Sequence, residues 1–130
     1  MRIFKTKRFV KLAGKQAISD KALREAVKRA ESGLVDADLG GGVIKQRVAR
    51  PGKGRSGGFR TLLAFRAGDR AVFLYVFAKS ERENIDEKEL KALQAIGAGW
   101  LRANDADLNR QVSEGLAEEV ENDEGSDDEA

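Results

Sequence analysis

Residues 59–78 read FRTLLAFRAGDRAVFLYVFA, and the pattern in them decides the fold. From Phe59 the side chains alternate with a period of two: Phe59, Thr61, Leu63 and Phe65 point one way, and Arg60, Leu62, Ala64 and Arg66 the other. Ala67-Gly68-Asp69-Arg70 supplies turn residues. Ala71 to Ala78 is then a nearly continuous apolar run rich in Val and Phe, as a central strand covered on both faces would be. The pattern predicts an antiparallel hairpin whose second strand lies deep in a sheet. Phe73, Tyr75 and Phe77 alternate along that strand and are expected to form one row of sheet packing.

Upstream, Val43 to Val48 offers another strand, stopped by Pro51 and Gly52. Leu34 to Gly42, with Asp36, Asp38 and a triple glycine, reads as a connection. Before it, Ala22, Leu23, Ala26, Val27 and Ala30 recur at helical spacing over about residues 20–32, with Ser19 or Asp20 as the cap and Gly33 as the stop. Met1 to Phe4 suits a short first strand, and Phe9, Val10, Leu12 and Ala13 a brief helix. Downstream, Asp86 and Glu89 stand at capping-box spacing ahead of Leu90, Leu93, Ile96, Trp100 and Leu101, which line one face of a helix expected to lie on the sheet. Gly97 and Gly99 weaken the second half of that helix. Leu108, Val112 and Leu116 permit a further short helix, and Leu116 to Val120 a further strand. The fold class expected is α+β: a small antiparallel sheet with two N-terminal helices and a C-terminal helix packed on it. Residues 1–121 form the expected domain, and 122–130 an acidic tail expected to be disordered.

Composition narrows the function. With neither Cys nor His among 130 residues, a disulfide framework, a thiolate nucleophile and the usual zinc clusters are excluded. No run approaches the ~18 apolar residues of a membrane span, so the cytoplasm is the expected compartment and no membrane a partner. The formal net charge of +2 hides a division. Residues 1–103 hold 23 Lys or Arg against 11 Asp or Glu, whereas residues 104–130 hold Arg110 alone against 11 acids. Such a basic body attracts polyanions, and that attraction falls steeply with salt.

The cations concentrate around the hairpin. Lys53, Arg55 and Arg60 sit among Gly52, Gly54, Gly57 and Gly58, a glycine-rich loop whose backbone lets cations approach a phosphate closely. Lys79 and Arg82 leave the second strand, and Lys45 and Arg47 lie on the strand before. Each also has a structural reading as an ion-pair partner; Tyr75 fits sheet packing or, near a strand end, stacking on a base.

The block GKGRSGGFRTLLAFRAGDRAVFLYVFAKSERENIDEKELKALQ, residues 52–94, resembles the RelE/HigB-like toxins of the RelE superfamily, more loosely from about residue 1 to 121. That resemblance implies an endoribonuclease that enters the ribosomal A site and cuts messenger RNA. The target nucleotide's 2′-hydroxyl is the nucleophile, and neither metal nor cofactor takes part. It also implies a cognate antitoxin, usually a small helix-turn-helix protein, through whose complex alone the operator DNA is bound. The family's glycine-aromatic-arginine step matches Gly58-Phe59-Arg60, which makes Arg60 the group expected on the scissile phosphate. Its basic pair matches Lys45 and Arg47, and its Lys-x-Glu-Arg segment Lys79, Glu81 and Arg82, with Glu81 the expected orienter of Arg82. Lys53 and Arg55 belong to the glycine loop of this subgroup. Several relatives carry a tyrosine shortly after that segment; here Asp86 stands in its place.

Cleavage through the 2′-hydroxyl needs a base, charge stabilisation at phosphorus and an acid for the departing 5′-oxygen. Without histidine a lysine must move the proton, and a lysine crowded by cations releases it more easily; Lys79, Lys53 and Lys45 are the candidates. Two other functions fit the same residues less well. A gyrase-inhibiting ParE-like toxin would not need so many cations along one hairpin. A non-catalytic module that binds RNA or antitoxin draws support from the missing tyrosine.

Overall fold

The computed structural model describes residues 1–14, 16–50 and 54–121, with the backbone alone at 50 and 54–57. Ten elements follow in order: β1 (Arg2–Thr6), α1 (Lys7–Gly14), α2 (Asp20–Glu31), β2 (Ala37–Gly40), β3 (Val43–Arg50), β4 (Gly54–Arg66), β5 (Arg70–Ala78), α3 (Glu87–Arg102), α4 (Asp105–Ser113) and β6 (Ala117–Val120). The six strands make one sheet in the order β2-β3-β4-β5-β1-β6. Only β1 and β5 run parallel; the other neighbours are antiparallel. The α+β expectation holds, with helices on both faces of the sheet.

Two apolar clusters explain why. Phe9 of α1 and Leu23, Ala26 and Val27 of α2 pack on Ile44, Val48, Phe59, Leu63 and Phe73. On the other face Leu93 of α3 and Leu108 of α4 meet Phe4, Val43, Leu62, Ala64, Val72 and Leu74. The alternation read in residues 59–66 is therefore real: Phe59 and Leu63 go to the first cluster, Leu62 and Ala64 to the second. β5 is buried on both sides, as its unbroken apolar run requires.

The expected row of Phe73, Tyr75 and Phe77 does not form. Leu62 pairs with Tyr75 but Leu63 with Phe73, so Leu74 is an extra residue in β5, and the register shifts there. The bulge flips the parity: Phe73 stacks on Phe9 of α1, ring centroids 5.3 Å apart, while Tyr75 and Phe77 lie together on the α3 face. Two other expectations are corrected. Residues 37–40, read as connection, are edge strand β2, paired to Lys45, Ile44 and Val43 through a bulged register. Asp and Gly are poor strand formers, so pairing with β3, not propensity, holds that edge. Gly54 to Gly58, read as loop, belongs to β4, which extends the hairpin with β3 as far as an Arg50–Gly54 pair.

α3 is anchored at both ends and tight in the middle. Asp86 and Glu89 form the expected capping box. At the other end Arg66 donates to the Leu101 carbonyl at 2.9 Å, and buried Arg70 donates to the carbonyls of Trp100 and Ala103, which satisfies the helix's last acceptors from the β4–β5 turn. Gly97 does not interrupt the helix. It lets α3 approach the sheet, because a Cβ there would stand 3.2 Å from that of Ala64 and 3.4 Å from Leu74 and Val43 atoms. Among the described residues no helix is long and apolar enough to cross a membrane.

Candidate functional site

Cross-strand register brings the expected cations into two adjacent rows. Arg47 of β3 pairs with Arg60 of β4, which pairs with Phe77 of β5; one step along, Lys45 pairs with Leu62 and Leu62 with Tyr75. Residues directly opposite in antiparallel strands share a face, so these positions lie on the α3 side of the sheet. At their β5 end both rows meet α3: Phe77 is buried in one cluster with Leu93, and Tyr75 shares a recess with Glu89, Ala92 and Leu93.

Arg60 is half-buried, and its Nη1 is sealed from solvent with no hydrogen-bond partner among the described residues. Burial first, then the positive charge of Arg47, push its guanidinium below the ordinary range, while Asp36 opposes them. An enclosed donor without an acceptor costs about 1–3 kcal/mol. A bound anion would remove that cost and screen the two guanidinium groups from each other.

Arg47 is held from the α2 side. The Asp36 carboxylate accepts from its backbone N–H at 2.6 Å and lies 3.7 Å from its Nε. Arg29 of α2 donates to the Arg47 carbonyl at 2.5 Å. Asp36 is placed in turn by Gln46, wholly buried, whose Oε1 accepts from the Asp36 N–H at 2.7 Å while its Nε2 donates to the carbonyls of Ala26 and Leu34. A cleft of about 360 Å³ opens beside this group, lined by Arg29, Leu34, Asp36, Arg47, Val48 and Ala49.

Arg82 is committed to the protein. Its Nη2 and Nη1 fork onto Glu89 at 2.6 and 3.2 Å, its Nε donates to the Asn84 carbonyl at 2.9 Å, and its guanidinium lies 5.7 Å from the Phe77 ring centroid. The Glu89 hydrogen bond raises the Arg82 pKa above the ordinary guanidinium value. Conversely Arg82, followed by the backbone N–H of Asp86, holds the Glu89 carboxyl below the usual range. Glu89 thus orients Arg82, in place of the expected Glu81, and also closes the capping box.

Lys79 stands one residue beyond β5, its backbone N–H directed at the Gly58 carbonyl 3.4 Å away. Its side chain is exposed and, among the described residues, has no ion-pair partner; Lys45, half-buried, has none either. Tyr75 is half-buried beneath Arg8, whose guanidinium lies 5.1 Å from its ring centroid. Together with Glu89 and Leu93 they line a small recess of about 80 Å³. Lys53, the side chain of Arg55 and the tail at 122–130 lie outside the described residues. Asp86 occupies the place of the family's tyrosine, its side chain accepting from the Glu89 N–H at 2.7 Å.

The register therefore unites Lys45, Arg47, Arg60 and Tyr75, sets Lys79 at the strand's exit, and withdraws Arg82 into an ion pair. Arg8, Arg29, Asp36 and Gln46 are additional residues of the site. Only Arg8, beside the apolar Phe9 of a short helix, carried any local signal; the others work through partners distant in the chain. Among the described residues no group of acidic side chains is arranged to hold a metal.

No curated protein matches the sequence. A family model described as the RelE toxin of the RelE/RelB toxin–antitoxin system matches residues 1–120. That span runs from β1 to the end of β6 and so takes in every element of the sheet. The protein is a toxin of a toxin–antitoxin system with an antitoxin as partner, and the chain belongs to the RelE toxin family.

Proposed function

We propose that the protein is a ribosome-dependent endoribonuclease that cleaves messenger RNA in the A site without a metal, and so arrests translation. One observation carries the reading: Arg60 presents a sealed Nη1, without a partner among the described residues, directly across the strand pair from Arg47. That arrangement is unfavourable until a phosphodiester fills it.

In this reading the 2′-oxygen attacks phosphorus, the 5′-oxygen leaves with a proton, and a cyclic phosphate remains on the upstream fragment. Arg60 holds the non-bridging oxygens and meets the charge that grows on them. Lys79, exposed at the exit of β5 and without an ion-pair partner among the described residues, moves the proton. Arg47 and Lys45 guide the neighbouring phosphates along the sheet, and Tyr75 offers a ring for a base. Arg82, gripped by Glu89, acts as a fixed positive charge. The ribosome supplies in-line alignment, which reduces what the protein itself must contribute. A helix-turn-helix antitoxin completes the system.

Incorporation of labelled amino acid in a cell-free translation system, with mapping of messenger 5′ ends, tests this. Wild type should arrest synthesis and create new ends within codons, and Arg60→Ala should do neither. Arrest with intact messenger would favour a binding-only toxin, the alternative that Asp86 in the tyrosine's place supports. Inhibition of gyrase supercoiling by the purified chain would favour the ParE-like reading.

A further inference from the structure

α3 has a solvent face that its own fold does not use. From Ala92 to Leu101 it carries no charged residue, although only Leu93 and Gly97 of that stretch are fully buried. A helix lying on a sheet ordinarily presents Lys, Arg and Glu to water; here Ala92, Ala95 and Ile96 face it instead. Beside them runs a groove of about 190 Å³ between α3 and the start of α1, lined by Leu93, Ile96, Trp100, Leu116, Lys7 and Arg8. Of the three large hydrophobic side chains that stand out as exposed among the described residues, two border it: Ile96 at 47% and Leu116 at 43%. Such a concentration of apolar surface marks an interface rather than scattered exposure.

The rim identifies the occupant. Lys7 and Arg8 are exposed, and neither has a carboxylate at ion-pair distance among the described residues. An apolar floor edged by Lys7 and by Arg8, which lies over Tyr75 and near Glu89 without a carboxylate at ion-pair distance among the described residues, matches an amphipathic helix with Leu- or Ile-type side chains on one face and Asp or Glu on its flank. The small side chains Ala92 and Ala95 let such a helix come close. We propose that this groove is where the antitoxin docks a helix of that kind. The surface lies off the Arg47–Arg60 row and meets the candidate catalytic region at the Tyr75 recess, through Arg8, which covers Tyr75, and through Ala92 and Leu93. The proposal rests on membership of the toxin family, so failure of the nuclease reading would leave it standing.

Titration calorimetry with the small protein encoded by the adjacent gene, purified separately, tests it. Ile96→Glu and Leu116→Glu should each weaken binding at least about tenfold, and the double variant about a hundredfold or more. Lys7→Glu should weaken it less and flatten its salt dependence. Circular dichroism and melting should stay as in wild type, because both apolar side chains are already exposed. In the translation assay Ile96→Glu should still arrest synthesis but escape neutralisation by the added partner. Undiminished binding by the folded double variant overturns the proposal, as does absence of binding by wild type. So does a wild-type dimer in sedimentation that the same substitutions split, since the groove would then belong to a second copy.

Discussion

Arg60 sets function against stability within one side chain. Its Nη1, sealed and without a partner among the described residues, and its neighbour Arg47 cost stability, and under the proposed reading the same features suit it to a phosphate. Arg60→Met is expected to lower messenger cleavage by about 10²–10³-fold, comparable to loss of one transition-state donor. It should also raise resistance to urea by about 1 kcal/mol, since the orphaned donor is removed. A loss of both activity and stability would show that Arg60 is a structural anchor. Arg60→Lys keeps the charge but not the planar fork, so intermediate activity is expected. Arg60 stood out in the sequence as a candidate because Gly58-Phe59-Arg60 resembles a step of the family. Asp36 and Gln46 were not, since each acts through hydrogen bonds to residues about ten or more positions away, and no local pattern encodes such partners.

Elements were readable wherever one signal dominated. α2 and α3 announced themselves by spacing and caps, and the β4–β5 hairpin by alternation and turn chemistry. β2 was hidden because Asp and Gly mark turns, and the β5 bulge because an all-apolar run carries no parity to read. α3 yields two predictions. Gly97→Leu should destabilise by about 1–3 kcal/mol through overpacking against Ala64 and Leu74. Gly99→Ala, with nothing within 4 Å of the added carbon, should stabilise by up to about 1 kcal/mol through helix propensity. Thermal melts of the pair separate close packing from propensity, and equal effects would refute the packing role. At the helix's first turn, Arg82 depresses the Glu89 pKa, so the stability Glu89 contributes is present above the ordinary carboxylate range. It is lost as pH falls through the lowered folded value. Urea midpoints of wild type and Glu89→Gln should therefore differ at neutral pH and converge only once pH falls below the lowered folded value. A gap that persists in acid would mean that the Arg82 fork does not depend on the carboxylate's charge.

At the scale of the whole molecule, the sheet order joins both ends of the chain: β1 lies between β5 and β6, and Arg2 ties it to Glu119 and Asp105. No periodicity predicts that closure, because it depends on which strand edges remain free once the meander has formed. The charge division was plain in the sequence, and its consequence belongs to this scale too. Residues 122–130 carry five acids and no base, so removing them leaves the formal charge of the chain markedly more positive than +2. Backbone Glu121, where the described chain ends, accepts from Arg24 of α2 at 3.4 Å. The negative charge of residues 122–130 opposes the attraction of the basic body for a polyanion. Truncation after Glu121 should raise affinity for a short single-stranded RNA several-fold at about 50 mM salt and steepen the fall of affinity with salt. The two proteins should bind alike by about 500 mM, where the screening length shrinks to roughly 4 Å. Fluorescence anisotropy across that range decides the matter. Identical slopes would mean that the acids lie too far from the cations to be felt, and an equal offset at every salt would point to a direct, unscreened contact instead of a field.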